Sequence, residues 1–152
     1  MGSSPIASTF ARAVKFETRT LTPSEIGARA EAAVASALIR AGRSVFLPVF
    51  GINSRIHLVY ADADRLVSVQ CKTARISGDV LLFHTCSHTN YVRRDYSDQV
   101  DVFGIHSPAR NLVYLVPTSE LPRTGGTLRL APARNGQRKR IMWADDYVLG
   151  PP

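Results

Sequence analysis

The sequence predicts an α+β fold, in which one long helix precedes a series of strands that form a mixed sheet. Three observations predict this class. Residues 23–41 have the pattern of a capped amphipathic helix, most later segments alternate apolar and polar residues, and no internal repeat interrupts them. A chain of 152 residues is long enough for one domain and short for two.

The predicted helix begins after Thr22. Thr22 and Glu25 have the spacing of a capping box, and Pro23 suits the first helical position. Apolar residues then recur at helical spacing, and Gly42 is suited to end the helix. Glu31 falls at the edge of the apolar stripe, so we expect its carboxylate at the border of the surface that packs on the sheet.

Strand patterns dominate the chain after this helix. Residues 55–61, 65–73 and 78–86 alternate in the manner of three strands joined by tight turns, and we expect them to form an antiparallel meander. Residues 99–106 and 111–117 form a second predicted pair, joined by the turn "SPAR". A short helix or turn, one short strand and a basic loop follow.

The N-terminal segment has no clear period. We therefore expect residues 1–22 to be an arm or extension and residues 23–152 to form the folded domain.

The charge balance favours a polyanionic partner. The chain has 19 lysines and arginines against 12 acidic residues, a net charge of +7. Such a surplus on a small domain is typical of nucleic-acid binding, although a basic protein without such a partner is the alternative. We find no membrane-spanning run, no signal-peptide core and no CxxC pair, and these features together favour the cytoplasm.

Gln70 and Lys72 share one face of the strand at 65–73, because side chains alternate with a period of two. A metal-dependent nuclease needs oxygen ligands for hard cations, and a nearby lysine stabilises the charge that develops on phosphate. A carboxamide and an amine two residues apart, with Glu31 on the preceding helix, suit such a site. Taken alone, the pair is also typical of a solvated strand face.

Several motifs occur in an order that resembles one family. They are "GARAEAAV", "LPVF", "NSRIHLV", "VQCKTAR", "FHTCS", "VDVF", "LVYLVP" and "LRLAPARNGQRKRIMWADDY". Together they resemble the PD-(D/E)xK endonuclease family that includes the homing endonuclease of a group I intron. The resemblance implies a restriction-endonuclease-like core, with a central mixed β-sheet flanked by helices.

The same resemblance implies a catalytic site of Glu31, His57, Gln70 and Lys72, with the first three as ligands of Mg²⁺ or Mn²⁺. Gln at position 70 is typical of the family. His57 departs from it, because the family has Asp there and histidine is a poor ligand for magnesium. The implied function is a metal-dependent DNA endonuclease with a degenerate acid position. The alternatives are an impaired or inactive DNA-binding protein of the same fold, and a junction-resolving nuclease.

Basic and amide side chains near this site and in the C-terminal loop are candidates for contact with double-stranded DNA. Cationic side chains bind phosphates, and amides can reach base edges. Nucleases of this type usually need two active sites, so a homodimer or homotetramer is expected. The candidates are Arg55, Arg75, Asn135, Gln137, Arg138, Lys139 and Arg140.

His84, Cys86 and His88 form an H-x-C-x-H pattern. Alternation would place all three on one strand face, which invites a zinc interpretation. Structural zinc usually has four ligands with a spacing that wraps the ion. The family that the chain resembles has Asn and Cys at positions 84 and 86, and this resemblance implies packing or proximity to DNA instead.

Overall fold

The computed structural model describes residues 18–51, 54–89, 92–95, 99–133, 135–136 and 139–150. Within this part of the chain, helix α1 (Pro23–Arg40) precedes all of the strands. The strands are β1 (Val45–Phe46), β2 (Leu58–Asp62), β3 (Arg65–Thr73), β4 (Arg75–Ser77), β5 (Val80–Phe83), β6 (Cys86–Thr89), β7 (Val92–Asp95), β8 (Val102–Ser107), β9 (Leu112–Pro117) and β10 (Gly126–Arg129).

The central sheet has five strands in the order β1-β2-β3-β8-β9. Strands β3 and β8 are parallel, and the other neighbours are antiparallel. Asp101 supports the parallel pairing, because its Oδ2 accepts hydrogen bonds from the backbone N–H of Ser68 at 2.8 Å and from its hydroxyl at 2.7 Å. The α+β class with a central mixed sheet is therefore confirmed.

The expected antiparallel meander is wrong in its third strand. Strand β5 does not pair with β3 but lies in a separate sheet of order β10-β5-β4. The place beside β3 is taken by β8, from a distant part of the sequence. Local alternation identifies strands but does not encode which distant strand is the neighbour. The predicted pairing of β8 with β9 is confirmed.

Helix α1 covers one face of the central sheet. Its buried residues pack on buried residues of β2 and β3, including Leu58, Val67 and Val69. The approach is close at Gly104 in β8, where an added Cβ would lie 2.7 Å from Cγ1 of Val34. The buried helix residues are Ala30, Val34, Ala37 and Leu38.

The small sheet covers the opposite face. Leu81, Phe83 and Leu128 from this sheet form one buried cluster with residues of β8 and β9, among them Phe103 and Tyr114. In the described part of the chain, one α-helix and one small sheet thus enclose the central sheet.

The N-terminus of α1 has the predicted capping box. The hydroxyl of Thr22 accepts a hydrogen bond from the backbone N–H of Glu25 at 3.3 Å, and the Glu25 carboxylate accepts one from the N–H of Thr22 at 2.8 Å. Arg19 pairs with the same carboxylate. This fixed start sets the rotation of α1 and hence the position of Glu31 two turns later. Within the described residues, no helix has the length and apolar character needed to cross a membrane.

Candidate active site and nucleic-acid interface

His57 lies where the β2–β3 hairpin opens. Its backbone N–H donates to the carbonyl of Val69 at 2.9 Å, just before β2 begins. Its ring accepts at Nδ1 from the backbone N–H of Cys71 at 3.3 Å. The side chain of His57 therefore contacts β3 one residue beyond the last aligned pair of β2 and β3.

The imidazole of His57 connects Glu31 to Gln70. Nδ1 lies 3.2 Å from Oε1 of Glu31, on α1, and Nε2 lies 3.1 Å from Nε2 of Gln70, on β3. The structure thus brings together three of the four residues that the sequence predicts for catalysis. The His57 side chain is 21% exposed and that of Glu31 is 44% exposed, so the cluster is open to solvent from the helix side.

The two contacts at Nδ1 of His57 require different ring states. The Glu31 carboxylate requires a proton on Nδ1, whereas the Cys71 amide requires a lone pair there. Burial lowers the pKa of His57, Glu31 opposes this shift, and the positive charge of Lys72 adds to it. In a neutral ring these two contacts alternate with the tautomer.

Gln70 is the most deeply enclosed member of the cluster. The residue is 4% exposed, and its Oε1 is buried without a hydrogen-bond partner among the described residues. Buried polar atoms are nearly always partnered, so an unpaired carboxamide oxygen here fits an oxygen ligand for a cation.

Lys72 follows Gln70 on the same face of β3. Burial lowers the pKa of Lys72, and its charge in turn affects His57, so the amine lies within electrostatic range of the cluster. Cys71 points to the opposite face, towards α1. Burial raises the pKa of Cys71 to about 12, which leaves the thiol protonated and unreactive at neutral pH.

A cleft of about 380 Å³ opens onto Glu31 and His57. Small residues line it on both sides, so a ligand can approach the carboxylate from solvent. Helix α1 contributes Ser24, Gly27 and Ala28, and the segment before β2 contributes Gly51 and Ser54.

The outer face of the small sheet is basic. Arg75, Leu82 and Thr127 are aligned in one row across β4, β5 and β10, and Arg129 lies two residues further along β10. Two clefts lie on either side of Thr127. The first, of about 530 Å³, is lined by Arg75, His84 and Thr73, and the second, of about 310 Å³, by Arg129 and Arg140.

Thr127 and Arg129 were not among the residues predicted from the sequence to contact DNA. The signal was present, because alternation in "TLRL" places these two side chains opposite Leu128 and Leu130. Leu128 is fully buried, which fixes the outward direction of its neighbours.

The remaining predicted DNA contacts have varied positions. Arg55 is partly buried and hydrogen-bonds the side chain of Gln99. Asn135, Lys139 and Arg140 are exposed, as a phosphate contact requires. Gln137 and Arg138 lie outside the described residues.

The H-x-C-x-H pattern does not converge in the part of the chain that can be compared. His84 is exposed, whereas Cys86 is 3% exposed and its thiol points to the carbonyl of Thr124 at 3.7 Å. The His88 side chain lies outside the described residues. Among described residues, no group of three or more His, Cys, Asp or Glu could hold a metal ion, and the cluster at His57 contains two such residues, Glu31 and His57, beside the amide of Gln70.

Comparisons with known proteins identify the family of the chain and its fold. A family model described as "PD-(D/E)XK endonuclease" matches residues 21–149. Among solved structures, the bacterial homing endonuclease I-Ssp6803I is similar, with a TM-score of 0.62 at 17% sequence identity, over 84% of this chain and 87% of that chain. At this identity the likeness shows a shared fold. No curated protein gives a significant match.

Proposed function

The chain belongs to the PD-(D/E)XK endonuclease family, and from this membership we propose that it binds double-stranded DNA and hydrolyses phosphodiester bonds with a divalent cation. One observation carries the proposal. Glu31 from α1 and Gln70 from β3 converge on His57 where the β2–β3 hairpin opens, and Lys72 follows Gln70 on the same face of β3.

Each residue of this site has a role that its environment supports. Glu31 and the unpaired Oε1 of Gln70 would hold Mg²⁺ or Mn²⁺, and His57 holds the position of the missing acid. A bound cation would supply Lewis-acid chemistry at the scissile phosphate. The amine of Lys72 stabilises negative charge on the phosphate, an interaction strengthened by its partly buried surroundings.

The outer face of the small sheet is the proposed DNA contact. Arg75 begins β4 three residues after Lys72, and its cleft is also lined by Thr73, so the basic face continues from the end of the catalytic strand. Arg129 and Arg140 extend this face past Thr127. Such contacts hold phosphates and position the duplex without reading its sequence.

A second candidate function is DNA binding without cleavage. The position of the His57 ring between Glu31 and Gln70 favours it, because the site then has one carboxylate and a nitrogen ligand where hard cations prefer oxygen.

Cleavage of supercoiled plasmid tests both functions. The chain, Lys72→Ala and His57→Asp are compared with Mg²⁺ and with Mn²⁺. We expect slow nicking by the chain, faster nicking by His57→Asp, and a loss of about 10²-fold or more in Lys72→Ala. If neither the chain nor His57→Asp cuts DNA in either metal while both bind it, the second function holds. Failure to bind duplex DNA at low salt contradicts both.

Assembly as a homodimer or homotetramer remains a prediction, as does a location in the cytoplasm. A cut in both strands requires two active sites facing opposite backbones, which a symmetric pair of chains provides. Sedimentation of the protein with and without duplex DNA measures the assembly.

A further inference from the structure

We infer that His57 is a built-in occupant of the cation position, whose imidazole joins Glu31 to Gln70 in the metal-free protein and blocks a divalent cation from binding both. This inference rests on the proposed function, because it concerns the same site. It goes further in stating which side chain limits the affinity of that site for metal.

The contacts of the ring carry the inference. Glu31 meets Nδ1 and Gln70 meets Nε2, so the carboxylate and the carboxamide lie at different edges of one imidazole. A cation held at about 2.1 Å by two adjacent ligands brings those ligands to about 3 Å from each other. Glu31 and Gln70 reach such a spacing only after the ring has left the space between them.

The ring is also held in place from the backbone. The Cys71 amide donates to Nδ1 at 3.3 Å, and the His57 amide donates to the Val69 carbonyl at 2.9 Å. Withdrawing the ring therefore gives up the contact with Gln70 and the one contact at Nδ1, with Glu31 or with Cys71, that the tautomer allows. A cation must replace both contacts, which weakens its net binding.

The ligand chemistry points the same way. With His57 present, Glu31 supplies the one carboxylate of the cluster, and Mg²⁺ prefers oxygen ligands with near-octahedral geometry. The unpaired Oε1 of Gln70 shows that the cluster still has an oxygen available once the ring is removed.

Metal titration without DNA tests the inference. Mn²⁺ binding is measured by electron paramagnetic resonance for the chain, His57→Asp and His57→Asn. We expect His57→Asp to bind at least about tenfold more tightly than the chain. His57→Asn removes the ring and adds no charge, so an intermediate affinity is expected. His84→Asp, the same substitution at an exposed histidine, is the matched control and should bind no more tightly than the chain.

Thermal unfolding gives a second readout. Without metal, His57→Asp should melt below the chain, because its new carboxylate would face Glu31, and Mn²⁺ should raise its Tm in a concentration-dependent way. The Tm of the chain should change much less. If His57→Asp does not fold without metal, His57→Asn carries the comparison.

Two results would overturn the inference. One is Mn²⁺ binding by the chain as tight as that of His57→Asp. The other is no gain in affinity in a folded His57→Asn. Neither measurement involves DNA, so a result that overturns this inference does not contradict the proposed nuclease function. The plasmid assay tests that function separately.

Discussion

Gln70 combines deep burial with an unpaired oxygen, as Ser107 and Tyr114 also do among the described residues. Its Oε1 has no partner among the described residues, and an unsatisfied buried acceptor costs about 1–3 kcal/mol. Thr118 offers a contrast, because its buried hydroxyl donates to the Val100 carbonyl at 2.9 Å. The Thr118 hydroxyl thus supports stability, whereas the unpaired Gln70 oxygen lowers it. A destabilising group of this kind is expected where the group serves function.

Gln70→Leu should therefore leave the free energy of unfolding unchanged or raise it by up to about 1 kcal/mol, while abolishing plasmid cleavage. Thr118→Val, in which a satisfied hydroxyl is removed at similar burial, should lower it by about 1 kcal/mol. Urea unfolding of both variants measures the difference. A larger loss in Gln70→Leu than in Thr118→Val would show that the Gln70 contact with His57 is itself a main source of stability.

At this scale the sequence was informative about direction but not about contact. The period of two placed Gln70 and Lys72 on one face, and the helical stripe placed Glu31 at its border. The contacts of His57 with Glu31 and Gln70 depend on a side-chain rotamer and on where the β2–β3 ladder ends, and neither follows from periodicity.

Among the elements, α1 depends on one close approach to the central sheet. A Cβ at Gly104 would lie 2.7 Å and 3.0 Å from the two methyl groups of Val34 and 3.1 Å from Cγ1 of Val69. No flexible side-chain end is available to yield, because all three carbons belong to buried β-branched residues.

Gly104→Ala should lower the free energy of unfolding by about 1–3 kcal/mol, because the helix must shift outward from the sheet. Gly27→Ala is the matched control within α1, where an added Cβ meets nothing within 4 Å. That variant should be neutral or more stable by up to about 1 kcal/mol. Thermal or urea unfolding of the pair checks the prediction, and equal effects would refute the proposed close approach.

The start of α1 carries a pH-dependent contribution. The Arg19 guanidinium, together with the N–H and hydroxyl of Thr22, lowers the pKa of Glu25 from 4.5 to about 2. Because the folded pKa lies below the unfolded value, this stabilisation is present above about pH 4.5 and is lost as the pH falls towards 2.

Glu25→Gln should accordingly reduce the loss of stability between pH 5 and pH 2, with Gln unable to titrate. The urea midpoint of each protein at the two pH values measures this. The carboxylate is exposed, so 1 M salt should narrow the difference between the proteins. An identical pH dependence in both proteins at low salt would rule out the capping carboxylate as its source.

The sequence predicted the bounds of the elements better than it predicted which strands are neighbours in a sheet. The capping box gave the first helical residue, and the alternation in "RLVSVQCKT" gave the bounds of β3. The predicted strand at 78–86 is β5, but its partners β4 and β10 flank it in a separate sheet. Hydrogen bonding between distant strands depends on the whole core, which alternation within one segment does not report.

At the scale of the whole molecule, each of the three layers contributes to the proposed active site or to the proposed DNA-binding face. Helix α1 supplies Glu31, the central sheet supplies Gln70 and Lys72, and the small sheet presents a basic outer face. Lys72, Thr73 and Arg75 lie close together along the chain, so the proposed catalytic residues of β3 are continuous with that face. The net charge of +7 thus has a local counterpart where DNA would bind.

The salt dependence of DNA affinity tests whether the outer face of the small sheet binds DNA. Arg129→Ala and Arg75→Ala should each weaken duplex binding about equally for unrelated sequences. Each should also reduce the slope of log K against log salt concentration by about 0.9, because binding with one phosphate contact fewer releases fewer counterions. Arg110→Ala is the control. Arg110 is exposed in the β8–β9 turn, outside the small sheet, so its loss removes one positive charge but should leave the slope nearly unchanged. Equal slopes for all three variants would mean that the net charge of the chain, rather than the outer face of the small sheet, drives binding.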